Sequence, residues 1–359
     1  MKTIVLTGGG SAGHVSLNLA LIPELQKDGY VVHYIGTKCG MERKLVESIE
    51  GVSYHGIHSG KLRRYFSLQN FLDPFRVILG YFDSKRILSA VQPQAVFSKG
   101  GFVTVPVVAA GKKKRIPIIL HESDFSPGLA NKISTRYADK ILVTFEATLR
   151  HLPPGKAVLT GTPIRPTLLN GNKSMGLSYL GFDGKKPVLL VTGGSQGAQA
   201  INDMLHDSLS DLLDEFDIAH LCGEGKTATA YTDTPGYRQL EYANEELGDI
   251  FACSSIALSR AGANSIFEFL ALSIPALLIP LPLSQSRGDQ IQNAQYFEER
   301  GYSLVLQQQE LTRESLVQTL KELQRDRQQF VNAMQSSSQN STTAILREIY
   351  AAMESHAKY

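Results

Sequence analysis

The sequence is poor in several things whose absence narrows its chemistry. It has three cysteines in 359 residues, Cys39, Cys222 and Cys253, widely spaced and odd in number. That pattern excludes a disulfide scaffold and suits a reducing compartment. No C-x-x-C or His-rich pair suggests a zinc site. No run of 18 apolar residues occurs; the longest candidates, 103–110 and 274–283, are short and contain proline, so no spanning helix is expected. The first apolar run is too short for a signal peptide and reads as a strand. No Asp-x-Asp pair occurs anywhere, so a metal-clamped nucleotide-sugar site of that type is not expected, and no cofactor is called for. Net charge is also scarce, at +2. Taken whole, that figure argues against a polyanion partner.

What is present is an α/β pattern used twice. Short β-branched runs alternate with helical stretches, and the length suits two domains of about 150 residues. Residues 2–7, 31–35, 95–98, 116–121, 140–144 and 157–160 read as strands of a buried parallel sheet. Gly161-Thr162-Pro163-Ile164-Arg165-Pro166 reads as a linker. Residues 170–183 read as loop-rich or as one short helix. A second set of strands follows at 188–192, 218–222, 238–242, 256–259, 276–280 and 302–306. The restart is visible where Ile4-Val5-Leu6-Thr7-Gly8-Gly9 matches Leu189-Leu190-Val191-Thr192-Gly193-Gly194. Two Rossmann-like domains are expected, at 1–163 and 164–334, with helices of 335–359 free to pack back on the first.

Gly8, Gly10 and Gly13 spell G-x-G-x-x-G between a strand and a helix. Such a turn lets an anion approach the helix N-terminus. A dinucleotide site also wants an acid at the end of the second strand, and Tyr34-Ile35-Gly36-Thr37-Lys38 has none. A nicotinamide oxidoreductase is therefore a rival rather than the main reading. His14 follows the turn at a helix N-terminus, where the dipole disfavours its protonated form. It is either a neutral base or a capping and packing histidine.

In the second half, Gly193-Gly194-Ser195-Gln196-Gly197 offers backbone N–H groups and a hydroxyl to a phosphate, or is an ordinary strand–helix turn. Arg260-Ala261-Gly262-Ala263-Asn264-Ser265 leads into a helix with Glu268 about one turn along. Small residues admit a diphosphate, and a carboxylate can accept both ribose hydroxyls. The plainer reading of Glu268 is a first-turn acid that complements the dipole. Asp289 and Gln290 open another helix, as sugar-binding groups or as an N-cap. All three motifs fall at carboxyl ends of parallel strands, where α/β folds bind ligands.

At this point the chain resembles the MurG family of UDP-N-acetylglucosamine:N-acetylmuramyl-(pentapeptide) pyrophosphoryl-undecaprenol N-acetylglucosamine transferases. The likeness rests on residues 7–14, His121-Glu122, Gly128-Leu129-Ala130-Asn131-Lys132, residues 161–165, residues 193–198, and Arg260-Ala261-Gly262 with Glu268, Gln290 and Asn293-Ala294. It runs from about residue 2 to 306. Ser59-Gly60-Lys61-Leu62-Arg63-Arg64-Tyr65 and Ser98-Lys99-Gly100-Gly101-Phe102 are similar to members from Gram-positive bacteria. The resemblance implies a GT-B fold with an inter-domain cleft. It implies inverting transfer of GlcNAc from UDP-GlcNAc to the 4-hydroxyl of MurNAc in lipid I, giving lipid II for peptidoglycan. A related transferase using a diacylglycerol acceptor is the alternative within the fold.

By the same resemblance, Ser195 and residues Ala263, Asn264 and Ser265 line the diphosphate, Arg165 lies at the uridine side and Glu268 binds the ribose. Gln290 binds GlcNAc hydroxyls, and an uracil-lining residue falls near Ala243. Ser11, Ala12 and Gly13 face the phosphates, with Asp124 and Asn131 on the acceptor side and His14 as base. Asp124 replaces an amide found in many members, and Asp289 replaces a glutamine.

The charge is unevenly divided. Residues 1–165 carry 22 Lys+Arg against 11 Asp+Glu, a net of +11; residues 166–359 carry 14 against 23, a net of −9. Residues 61–86 interleave Lys61, Arg63, Arg64, Arg76, Lys85 and Arg86 with aromatics. Leu68, Phe71, Leu72, Phe75, Ile78, Leu79 and Phe82 keep helical spacing, with Pro74 as a kink. This stripe is either core-facing or an interfacial segment on anionic lipid. Lys112-Lys113-Lys114-Arg115 is a second basic cluster. The expected partners are UDP-GlcNAc, lipid I and an anionic membrane, without nucleic acid. The expected location is peripheral, on the cytoplasmic side of the cell membrane, basic domain inward to the lipid.

Overall fold

The computed structural model describes residues 2–10, 13–60, 69–194, 197–337 and 341–357. The chain divides into two compact units, Met1–Arg165 with Asn340–Tyr359, and Pro166–Gln339. The returning segment carries as many acids as bases, so the first unit keeps its net +11.

Unit 1 contains β1 (Lys2–Thr7), α1 (Gly13–Lys27), β2 (Tyr30–Thr37), α2 (Met41–Glu47), β3 (Val52–Ile57) and α3 (Gln69–Val91). It continues with β4 (Ala95–Ser98), α4 (Thr104–Lys113), β5 (Ile118–Glu122), α5 (Leu129–Ser134), β6 (Lys140–Val143) and β7 (Ala157–Leu159). Unit 2 contains α6 (Pro166–Leu169), α7 (Lys173–Leu180), β8 (Val188–Thr192), α8 (Gln199–Leu212), β9 (Asp217–Leu221), β10 (Tyr237–Leu240), α9 (Leu247–Cys253) and β11 (Ser254–Ser259). Then come α10 (Ala263–Leu272), β12 (Ala276–Leu278), α11 (Asp289–Glu298), β13 (Ser303–Val305), α12 (Arg313–Arg325) and α13 (Arg327–Gln335). The last helix, α14 (Ser341–Ala357), belongs to unit 1.

Unit 1 is a seven-stranded sheet in the order β3-β2-β1-β4-β5-β6-β7; unit 2 is six-stranded in the order β10-β9-β8-β11-β12-β13. All pairings are parallel. Strand order reverses between β1 and β4 and between β8 and β11. Those are the switch points where open α/β sheets bind ligands.

The continuous apolar runs follow from burial of both sheet faces. Successive side chains alternate in direction, so Ile4 and Leu6 join one cluster with α1 and α14, while Val5 joins the other with Val107 and Val108 of α4. α14 is held by Ile345, Ile349 and Ala352 in that first cluster and by a stack of Tyr350 on Tyr30. Each fully buried Leu or Ile stabilises the fold by roughly 1.5–3 kcal/mol. β3 was not expected. It is an edge strand, only partly buried, and its Ser53, His55 and Gly56 hide the pattern. The stretch 170–183 holds α7, capped by the Asn172 side chain, which accepts from the N–H groups of Ser174 and Met175.

Candidate active site

In unit 1 the first glycine turn joins β1 to α1 at the switch point. Polar posts hold it from below. The Tyr34 hydroxyl donates to the Gly8 carbonyl at 2.9 Å, and Asn18 Nδ2 donates to the Thr7 carbonyl at 3.2 Å. His14 is the second residue of α1, and its Nδ1 lies 3.0 Å from the Gly9 carbonyl oxygen. A carbonyl only accepts, so Nδ1 carries the proton and Nε2 holds the basic lone pair. The turn thus selects the tautomer a base needs.

The absence of an acid at the end of β2 needs correction. Glu42, in the first turn of α2, reaches back to that strand end. It is fully buried and accepts from the Thr37 N–H at 2.9 Å, the Thr37 hydroxyl at 2.6 Å and the Gly10 N–H at 3.4 Å. Its oxygens brace the turn rather than offer themselves to a ribose. Glu42 stands five residues past the end of β2, beyond the strand-end stretch 34–38 in which an acid was sought.

After β4, Gly101 has φ +92 and packs against the Gly9 carbonyl so closely that a Cβ would collide with it. β5 ends in buried His121 and Glu122. Asn131 is buried, and its Nδ2 donates to Glu122 Oε2 at 2.9 Å and to the His121 carbonyl at 3.1 Å. Asp124 sits in the loop that follows, with its N–H donating to Glu122 Oε1 at 3.0 Å.

α3 resolves the apolar stripe. Phe75, Ile78, Leu79 and Phe82 are 67%, 54%, 51% and 59% exposed. The core-facing reading therefore fails for these four. Gly80, Ser84 and Leu88 are the buried side. Pro74 is accommodated inside the helix.

In unit 2, the turn after β8 has Gly194 at φ +78 and Gly197 at φ +65. Behind it runs a polar chain: Asn202 Nδ2 donates to the Cys222 carbonyl at 3.0 Å, its Oδ1 lies 3.0 Å from His220 Nε2, and His220 Nδ1 lies 2.7 Å from the Tyr237 hydroxyl. Burial pushes His220 down to about 3, so its ring is neutral. α10 starts at Ala263, capped only by the Gly262 backbone. Its N-terminus at Ala263, Asn264 and Ser265 presents first-turn N–H groups and the positive end of the helix dipole, a setting that suits an anion. Glu268 is the sixth residue of α10, half-buried and past the first turn, so the dipole does not explain it.

Arg260 is buried and donates to the Ile279 carbonyl at 3.0 Å and to Gln308 Oε1 at 2.7 Å; it supports the turn. Asn293, also buried, donates to the Ala261 carbonyl at 3.1 Å. The N-cap reading of Asp289 and Gln290 is corrected too. The N-cap is Gly288, φ +82, without a side-chain cap. Gln290 Oε1 accepts from the Leu281 N–H at 3.1 Å, which aims its amide nitrogen. Ala243 is half-buried just after β10, and Arg165 is the last residue of unit 1's main segment.

Ser11, Ala12, Lys61, Arg63, Arg64 and Ser195 lie outside the described residues, as does the side chain of Phe71. Among the described residues, no group of three or more His, Cys, Asp or Glu side chains is arranged to hold a metal ion. No helix among them is long and apolar enough to cross a membrane.

Comparison with known proteins adds the following. The family description "Glycosyltransferase family 28 N-terminal domain" matches residues 4–143, and "Glycosyltransferase family 28 C-terminal domain" matches residues 188–349. A UDP-N-acetylglucosamine--N-acetylmuramyl-(pentapeptide) pyrophosphoryl-undecaprenol N-acetylglucosamine transferase of Lachnospira eligens is 53% identical, over 94% of this chain and 96% of its own. The protein of that name from Clostridium botulinum strain Langeland is 50% identical, over 97% and 98%. The crystal structure of Acinetobacter baumannii MurG superposes with a TM-score of 0.77 at 26% identity, covering 98% of this chain and all of that one.

Proposed function

The chain belongs to the MurG family within glycosyltransferase family 28, and from that premise we propose how its residues divide the reaction. Its fold is GT-B. It is an inverting hexosyltransferase that moves GlcNAc from UDP-GlcNAc to the 4-hydroxyl of MurNAc in lipid I, giving lipid II for peptidoglycan synthesis. The oxidoreductase and diacylglycerol readings have no counterpart in the two half-identical relatives named above.

Chemistry starts from the acceptor. His14 Nε2 takes the proton of the MurNAc 4-hydroxyl as that oxygen bonds to the anomeric carbon of GlcNAc. The bond from that carbon to the β-phosphate oxygen breaks, and UDP leaves with the electron pair. The observation that carries His14 as base is the Nδ1 bond to Gly9, which in the neutral ring places the lone pair on Nε2. General-base catalysis of this kind contributes about 10²–10⁴ in rate. The α10 N-terminus meets the diphosphate charge, with Ser195 at the neighbouring turn, so no metal or other cofactor is required. Glu268 holds the ribose hydroxyls, Gln290 with Asp289 holds GlcNAc, and Arg165 and Ala243 contact the uridine. On unit 1, residues 11–13 face phosphate, while Asp124 lies on the acceptor side and Asn131 steadies it.

The protein works at the cytoplasmic face of the membrane, bound peripherally through unit 1. The exposed stripe Phe75, Ile78, Leu79 and Phe82, within a unit of net charge +11, supports this reading. Basic residues near anionic lipid contribute about 1 kcal/mol each. Labelled GlcNAc transfer to a lipid I analogue, with diacylglycerol as competing acceptor, tests the assignment. Label in the diacylglycerol product alone would overturn it.

A further inference from the structure

Unit 1 buries a cation that the chemistry above does not use. Lys99 follows β4 and is 2% exposed. Its Nζ lies 3.1 Å from His121 Nδ1, and His121 Nε2 lies 2.9 Å from the Gly161 carbonyl oxygen. The carbonyl only accepts, so Nε2 carries the ring proton and Nδ1 presents its lone pair to the lysine. Burial, helped by the Lys99 charge, holds His121 well below the ordinary histidine range, so the ring is neutral.

The cluster extends into the 123–128 loop. Glu122 accepts from the N–H groups of Asp124 and Gly128, each at 3.0 Å, and Asn131 Nδ2 ties Glu122 to the His121 carbonyl. On the other side, the Lys99 N–H donates to the Thr7 carbonyl at 3.0 Å, immediately before the first glycine turn. The lysine is therefore tied by its main chain to the turn that carries His14, and by its side chain to the strand end that carries Asp124.

Burying an ammonium costs stability, and an apolar side chain of the same length would fit without that cost. We propose that Lys99 is a positioning residue for transfer: its ammonium, bonded to the His121 Nδ1 lone pair, holds the His121–Glu122 strand end in place and, through Glu122 and Asn131, the loop that carries Asp124. The proposal rests on unit 1 being the acceptor side. Desolvation pushes Lys99 down to about 8, opposed by the charges of Glu122 and Asp124. The titratable groups acting on it are these two and His121; Thr7 of β1 and Asn131 of α5 present uncharged atoms. The charge is therefore complete at neutral pH and disappears as pH rises through about 8.

The test compares wild type with Lys99→Met from about pH 6.5 to about 9.5, reading kcat and KM for transfer to a lipid I analogue. Wild-type kcat should fall on the alkaline side. Lys99→Met should lower kcat about tenfold at neutral pH, leave the UDP-GlcNAc KM near wild type, and lack the alkaline limb. Its melting temperature should stay close to that of wild type, because relief of the buried charge offsets the His121 lone pair left unpaired. Equal kcat at every pH would overturn the proposal, as would a slow variant that keeps the alkaline limb. If the variant does not fold, the wild-type profile decides: no alkaline limb, no role for the Lys99 charge. A wild type that makes no lipid II fails the functional reading instead, a separate outcome.

Discussion

The two units share a parallel sheet with a glycine turn at its switch point, yet the turns are supported differently. In unit 1 ionisable side chains crowd the turn: Glu42 beneath it, His14 folded back on it, and Lys99 with His121 beside it. In unit 2 the support is largely uncharged, from Asn202 through neutral His220 to Tyr237. One unit carries a net +11 and the other a net −9 among their own residues. The difference matches the division of the reaction proposed above. Removing a proton needs a base whose tautomer and position are imposed by neighbours. Accepting a leaving diphosphate needs fixed dipoles and room, which a bare helix N-terminus supplies.

The sharpest way to break this contrast is His14→Ala. It should cut kcat by about 10²–10⁴ while UDP affinity stays unchanged, as read by calorimetry. Matching losses in both would mean that the units do not divide the work. Glu42→Ala comes next. It removes the acceptor of the partly buried Thr37 N–H and hydroxyl, at up to about 1–3 kcal/mol for a donor left unpaired, and should lower stability in denaturant titration. Glu42→Gln should recover part of that loss. If Glu42→Ala were neutral, the turn would not depend on its brace.

On the lipid side, Phe75→Ser with Phe82→Ser should weaken binding to anionic vesicles by tenfold or more, since each buried Phe side chain is worth about 1.5–3 kcal/mol. Turnover on a water-soluble acceptor should be spared. Wild-type binding should also fall with salt. Vesicle affinity indifferent to the substitutions and to salt would return α3 to an ordinary surface helix.

At neutral pH the smallest effect is that of His220, which shows only as the solution is made acid. The fold keeps His220 neutral down to about pH 3, whereas the unfolded chain takes up a proton near its ordinary value of about 6.5. Between those values the unfolded state binds more protons, so stability falls as pH drops, by up to about 1.4 kcal/mol per pH unit from this group. His220→Gln should flatten that part of the stability profile. An unchanged slope would remove His220 from the unit 2 network's acid response.

Much of this architecture was legible in residue order. Buried parallel strands are continuous apolar runs, and glycine turns mark their ends, so the duplicated sheet and the phosphate-type loops could be read directly. β3 could not, because an edge strand with one wet face lacks that run. Glu42 escaped because the chain returns through α2 to the end of β2, a closure that spacing does not reveal. Lys99 entered only as part of the Ser98–Phe102 stretch, and its burial is visible only in the fold. The α3 stripe was visible as periodicity, but periodicity is identical for a face turned in and a face turned out; exposure of Phe75 and Phe82 decided it. Likewise His14 was nameable from its place after the turn, but its tautomer follows from the carbonyl it meets.

The central claim is that unit 1 supplies the base and unit 2 holds the leaving nucleotide. Single-turnover transfer of labelled GlcNAc to a lipid I analogue by wild type and His14→Ala, with UDP affinity measured on the same preparations, tests it most directly. The account predicts lipid II from wild type, a loss of about 10²–10⁴ in the variant, and equal UDP affinity. Transfer by His14→Ala at the wild-type rate would contradict it.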